Sequence, residues 1–242
     1  MRILSIVRVC TAYAVLAVLV SLFLVFATVT LKWGVRHYFH RFARLFGRTY
    51  MAIVGVKVES PSQEALNTRA ARVVIMNHSS QLDFFMGAWV MPPWGTVIAK
   101  REILKVPLLG WAVSMLGLVL IDRSNAESAR RTMGEAAARI REEQASVFIA
   151  PEGTRSRDGR LGAFKMGAFH LATEVKAPVV MVFFRGPALL QPLGTQWVRP
   201  GTVSVEILET LQWEDIADLS PHALRDRVRA VYLDAMGQSA SD

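Results

Sequence analysis

Val9 to Leu31 is a run of 23 residues, VCTAYAVLAVLVSLFLVFATVTL, without a charged side chain. Wound as a helix it would be about 35 Å long, enough to span a hydrocarbon layer or to embed in one. Behind it comes KWGVRHYFHRFARLFGRTY, in which Trp33, Tyr38, Phe39, Phe42, Leu45 and Phe46 alternate with Lys32, Arg36, Arg41, Arg44 and Arg48. Aromatic rings beside long cations suit the lipid headgroup layer, where one end of a side chain is apolar and the other wet. Two basic residues precede the run and five follow it. The positive-inside rule therefore puts everything after Leu31 on the cytoplasmic side of an inner (cytoplasmic) membrane. A cleaved signal peptide would have a shorter apolar centre and a small-residue cleavage site, whereas this run ends in Thr28-Val29-Thr30-Leu31. A helix buried in a soluble core is rarely so uniformly apolar. Full crossing and a tilted seat in one leaflet both stay open.

The charge balance follows this division. The chain carries 28 Lys+Arg against 20 Asp+Glu, a net charge of +8, which invites a nucleic-acid partner. Seven of those cations and no acid lie in residues 1–50, while the remaining 192 residues are close to neutral. The basic character belongs to the membrane end, and no nucleic-acid partner is expected. A single cysteine, Cys10, lies inside the apolar run and excludes an internal disulfide framework or a Cys-rich zinc module. The expected division is an anchor with an interfacial helix over 1–50 and an α/β domain over 51–242.

Beyond Met51, short β-branched runs alternate with helical patterns. Strands are expected at Ile53–Val58, Val73–Met76, Thr96–Ala99, Leu118–Ile121, Val147–Ala150, Val179–Phe184 and Val203–Leu208. Helices fit Asp83–Val90, Leu108–Leu116, Glu127–Glu143, Met166–Val175 and Pro221–Met236. Glu127–Glu143 is charge-rich around most of its circumference and reads as a solvent-facing helix. Such alternation predicts an α/β fold with a largely parallel sheet flanked by helices, behind the N-terminal membrane-embedded segment. Ligands of such folds gather at the carboxyl ends of the strands.

Four of the expected strands end in reactive residues. In VVIMNHSSQLDFF, His78 leaves a strand tip and Asp83 falls in the first helical turn, near enough to return its carboxylate to the imidazole. A carboxylate on one ring nitrogen fixes the tautomer and leaves the other nitrogen as a general base, without a metal. The spacing alone is a weak signal and better suits a helix cap with an unrelated histidine beside it. In VFIAPEGTRSRDGR the turn holds Glu152, Gly153, Thr154, Arg155 and Ser156. Gly153 lets backbone N–H groups approach a ligand, the hydroxyls add donors, and Arg155 offers a bidentate fork for phosphate. Alone, this segment also reads as a polar turn. Lys100 and Arg123 follow two further strands. Together these ends suggest a hydroxyl activated on an anionic, phosphorylated molecule.

NHSSQLD, GLVLIDR and PEGTRS, in this order and spacing, resemble the first three motifs of the glycerolipid acyltransferase family. AKREILKVPLLG, FKMGAF (residues 164–169) and APVVMVFF (residues 177–184) fit as well, so the resemblance covers roughly residues 50–210. It implies transfer of a fatty acyl chain from an acyl thioester, acyl-CoA or acyl carrier protein, to the free sn-2 hydroxyl of 1-acyl-sn-glycerol-3-phosphate, giving phosphatidate. His78 would be the general base and Asp83 would orient it. Arg155, Lys100 and Arg123 would hold the acceptor phosphate, and Glu152, Gly153 and Thr154 would shape that pocket. No cofactor or metal and no covalent acyl-enzyme is implied. The partners are a lysophospholipid acceptor, the thioester donor and membrane lipids. Ala150 stands where the family usually has Phe, Met181 where it commonly has Pro, and Leu120 where it often has an aromatic. These departures leave the acceptor open among lysolipids, another lysophospholipid or a lyso-ornithine lipid included. A membrane thioesterase and a non-catalytic lipid-binding scaffold are the readings from other classes. His170 is expected to pack, His37 and His40 belong to the interfacial segment, and His222 reads as surface.

Overall fold

A computed structural model of the chain describes residues 2–30, 34–60, 63–116, 118–122, 126–155 and 160–239. Leu31, Lys32, Trp33, Arg123 and Ser156, singled out above, lie outside the described residues. Two long helices come first, α1 (Arg2–Val29) and α2 (Val35–Val54). Then follow β1 (Val56–Glu59), α3 (Gln63–Leu66), β2 (Arg72–Met76), α4 (Leu82–Trp89), β3 (Thr96–Lys100), a 3-10 turn over Arg101–Lys105, α5 (Leu109–Leu116) and β4 (Val119–Ile121). The chain continues through α6 (Ala126–Glu143), β5 (Ser146–Ile149), α7 (Gly167–Val175), β6 (Val179–Arg185), α8 (Pro187–Leu190), β7 (Gly201–Leu211), α9 (Trp213–Ile216) and α10 (Pro221–Met236).

The seven strands form one sheet in the order β1-β7-β6-β2-β5-β3-β4. From β6 to β4 neighbours run parallel, β7 is antiparallel to β6, and β1 pairs parallel with β7. Alternate residues of the central strands feed two cores. Val74, Phe148, Val180 and Val182 face one side, with α1, α2 and α4. Val73, Ile75, Val147, Ile149, Val179 and Met181 face the other, with α6, α7 and α10. Both faces are covered, which is why these strands read as continuous apolar runs.

Every expected strand is present; five shift by a single residue at one end or both, and β1 and β7 differ by more. Ile53 and Val54 form the last turn of α2, which Gly55 (φ 78°) ends by donating its N–H to Met51 and Ala52, so β1 begins only at Val56. β7 is longer than its apolar centre because it pairs with two strands in succession, β1 along residues 201–204 and β6 along residues 204–211. α2 thus continues through residue 50, and residues on both sides of that point share one core. α6 is charged on its outer face, yet Ala136, Ala137 and Ile140 are buried against the sheet. Small residues let it sit close, a stripe that the surrounding charges mask in the sequence.

α1 is not free of the domain. Ser5, Val9, Ala12, Leu16, Val20, Phe23 and Ala27 are buried, a stripe spaced three and four residues apart that runs almost its whole length. Its other faces expose Ile3, Val7, Val18, Leu22, Val25 and Val29.

Candidate active site

The topology sets β2, β5, β3 and β4 side by side and parallel, so the four ends expected to carry chemistry form one rim. Beyond β2, Asn77 is buried and its side chain behaves as one more strand residue. It accepts from the N–H of Phe184 at 2.8 Å and donates to the carbonyl of Phe184 at 3.0 Å. The next residue, His78, is thereby held where the strand ends.

His78 Nδ1 lies 2.9 Å from Asp83 Oδ2. The same carboxylate oxygen accepts the backbone N–H groups of Ser79 at 2.6 Å and Ser80 at 2.8 Å. Asp83 is almost fully buried in the first turn of α4, a position that favours negative charge. A carboxylate only accepts, so Nδ1 carries the ring proton and Nε2 keeps its lone pair. The His78 side chain is about one-third exposed, 31%, against 1% for Asp83. One group of the pair is therefore reachable and the other fixed. Ser80 Oγ accepts from the Leu82 N–H at 3.2 Å, which satisfies one of the free amides at the start of α4.

Glu152 stands behind this pair. Its Oε1 accepts the His78 N–H at 2.9 Å and its Oε2 accepts the Gly162 N–H at 3.0 Å. Burial pushes its carboxyl above the ordinary 4.5, and the Gly162 and His78 amides offset part of that rise. Its carboxylate is spent on the backbone of two loops, so it shapes the site from behind. Gly153, next to it, has φ 73°, and a side chain there would meet Lys165.

A cavity of about 1260 Å³ opens in front of His78. Its polar end is lined by His78, Asp83, Gly153 and Thr154 with the cations Lys100, Arg155, Arg160 and Lys165. Its depth is apolar, walled by Phe42 and Phe46 of α2, Phe84 and Met91 at α4, and Val113 and Leu116 of α5. The sequence residues thus meet at one cavity, except Glu152 behind it and Arg123 outside the described residues. Lys165 and Arg160 were missed as site residues. Lys165 lies in the FKMGAF segment, but only folding shows that it reaches back over Gly153. His170 is exposed rather than packed.

The acyltransferase family model matches residues 57–185, more than half of the chain. A 1-acyl-sn-glycerol-3-phosphate acyltransferase of Cocos nucifera is 30% identical over 98% of this chain and 77% of its own length. Proteins of the same name from Limnanthes douglasii and Saccharomyces cerevisiae are 36% and 31% identical over 72% and 80% of this chain. The chain spans 61% and 64% of those two proteins. Among solved structures, the 1-acyl-sn-glycerophosphate acyltransferase PlsC of Thermotoga maritima superposes with a TM-score of 0.82 at 23% identity, over 98% of this chain and 97% of that one. The family model over more than half of the chain and the relatives at 30% identity or more agree: this chain belongs to the acyltransferase family.

Proposed function

We propose that the protein is a membrane-bound O-acyltransferase that moves an acyl chain from a thioester to the sn-2 hydroxyl of 1-acyl-sn-glycerol-3-phosphate, giving phosphatidate. The observation that carries this reading is one cavity with a His78–Asp83 pair at the junction of a cationic end and an apolar depth. A lysolipid phosphate has the same two parts, a dianion and a hydrocarbon chain, with the reacting hydroxyl between them. Lys100 and Arg155 hold the phosphate. His78 Nε2 takes the hydroxyl proton as the oxygen attacks the thioester carbonyl. Collapse of the tetrahedral adduct expels the thiolate, which leaves as thiol with the proton from the imidazolium. The buried Asp83 carboxylate keeps the ring oriented and stabilises that cation. The thioester of CoA or of acyl carrier protein supplies the activated acyl group, and the reaction as written draws on no metal or cofactor. The names of the relatives favour lysophosphatidate over other lysolipids.

The membrane is the inner (cytoplasmic) one, with the catalytic domain on its cytoplasmic face, as the attraction of the flanking basic residues to the anionic lipids of that leaflet favours. α1 lies in one leaflet. Its buried stripe rests on the domain from Ser5 to Ala27, so it cannot cross a bilayer without drawing the domain in with it. Its outward residues supply the apolar face that such a seat needs.

A matrix of donors against acceptors with the purified protein in vesicles tests the reading. Transfer to lysophosphatidate is expected, and His78→Ala is expected to remove it while the variant keeps its melting behaviour. An active His78→Ala protein would overturn the mechanism. A protein that acylates only another lysolipid would overturn the assigned acceptor.

A further inference from the structure

α1 carries several hydroxyls in an otherwise apolar helix, and their hydrogen bonds differ in kind. Ser21 and Thr28 return theirs to carbonyls of α1 itself, at 2.8 Å each. Ser5 and Tyr13 instead reach the domain. Ser5 Oγ donates to the Val198 carbonyl at 2.6 Å and accepts the Val198 N–H at 2.8 Å, both buried. Tyr13 Oη accepts from Gln81 Nε2 at 2.6 Å.

Gln81 belongs to the five-residue step between His78 and Asp83. It occupies the N-cap position of α4 but makes no side-chain capping bond there, so its amide is free to serve α1. A second tie reaches the same step from the other side. Ser80 Oγ donates to the Gln191 carbonyl at 2.8 Å, and both residues are buried. Gln191 opens the segment that ends at Val198, where Ser5 is bound. A ring contact adds a third route. Tyr13 lies 5.6 Å from Tyr50 of α2, and Tyr50 stacks on Phe85 of α4 at 3.5 Å and 3°. α4 carries Asp83. A helix used only to hold lipid has no need of a tyrosine hydroxyl on the catalytic turn.

Resting on the reading of His78 as base, we propose that Tyr13 is a positioning residue: its hydroxyl, through Gln81, holds the His78–Asp83 turn in its working geometry. α1 then completes the active site as well as fixing its place at the membrane. Ser79 N, Ser80 N and His78 Nδ1 must all converge on one carboxylate oxygen. A turn released at Gln81 loses that convergence for part of the time, and turnover falls in proportion.

Tyr13→Phe keeps the ring against Tyr50 and removes only the hydroxyl, while Gln81→Ala removes the other partner from a half-exposed site where folding is little affected. The full-length variants, the double variant and a Ser21→Ala control are assayed in vesicles for kcat, for KM of donor and lysophosphatidate, and for vesicle binding. Each single variant is expected to lower kcat about fivefold to tenfold, the scale of one hydrogen bond. Tyr13→Phe should leave both KM values unchanged, the readout that separates positioning from binding because Gln81 itself lines the cavity. The double variant should be no worse than Tyr13→Phe alone, because the contact that Gln81→Ala removes is already lost there. Vesicle binding should match the wild type, and Ser21→Ala should leave kcat unchanged. Wild-type kcat in Tyr13→Phe, additive losses in the double variant, or a loss of vesicle binding that accounts for the lost rate would each overturn the proposal. His78→Ala separates the two readings: if it is inactive while Tyr13→Phe is wild type, only the positioning role falls.

Discussion

At His78 the decisive quantity is which nitrogen carries the proton, and a single carboxylate oxygen settles it. Asp83→Asn would put an amide where the oxygen now accepts from the ring and from the Ser79 and Ser80 N–H groups. Activity is expected to fall about a hundredfold to ten-thousandfold, because the ring loses both its orientation and the charge that stabilises the imidazolium. Transfer rates beside an intact melting transition check this. Glu152 makes a different prediction. In Glu152→Gln one oxygen still accepts from His78, but the amide nitrogen faces the Gly162 N–H, donor against donor. The loss is expected to be about 1–3 kcal/mol. Its pH dependence has a definite sign. A carboxyl whose folded pKa is raised contributes stability that is fully present below its unfolded value of 4.5 and is lost as pH rises through the folded value. The wild-type advantage over Glu152→Gln should therefore be widest near pH 4.5 and narrow towards neutrality, read from thermal midpoints. Curves that stay parallel would deny the shift. The His78–Asp83 pair was legible in the sequence because its two members share one turn and stand beside GLVLIDR and PEGTRS in order, which the five-residue spacing alone would not have singled out. The work of Glu152 was not, since its partners, His78 and Gly162, lie 74 and 10 residues away.

Among the elements, α2 and α4 pack closely at Gly47. A side chain at Gly47 would lie 2.5 Å from the Phe85 carbonyl oxygen and 2.8 Å from the Trp89 nitrogen, both backbone atoms that cannot turn aside. Gly47→Ala would gain about 1 kcal/mol of helix propensity. It would also force apart two packed helices at a cost of about 1–3 kcal/mol. The second effect wins, and because α4 carries Asp83 the variant should lose transfer activity at temperatures well below its unfolding. Denaturant midpoints and rates measured over temperature test both parts. Strands were readable because the central ones are buried on both faces and need β-branched residues throughout. Helix limits were less so. Ile53 and Val54 suit a strand by composition, and α2 keeps them because its last turn packs in the same core and Gly55 stops it there. The reversal of β7 against β6 left no mark in either strand, since antiparallel pairing depends on the connection between them and not on their composition.

For the molecule as a whole, the cavity and the membrane face are built from the same helices. α1, α2, α4 and α5 come from stretches far apart in the chain, so no local pattern announces the apolar chamber that they enclose in front of His78. The uncharged apolar run over residues 9–31 suits lipid, yet an unbroken apolar run hides which of its sides is spoken for. Folding divides it: Leu16 is 3% exposed and belongs to the main core, whereas Leu22 is 62% exposed. Two substitutions should therefore fail in different ways. Leu16→Ala removes a buried side chain and is expected to lower stability by about 2–5 kcal/mol, membrane or none. Changing Val18, Leu22 and Val25 together to Ser leaves every core contact in place but removes three apolar groups from the lipid-facing side. At about 1.5 kcal/mol each, vesicle affinity should fall about a thousandfold. The melting temperature in detergent and the transfer rate on detergent-dispersed lysolipid should stay near wild type. If the triple Ser protein instead unfolds, or still binds vesicles as the wild type does, then that side of α1 faces protein or water and the one-leaflet seat is wrong.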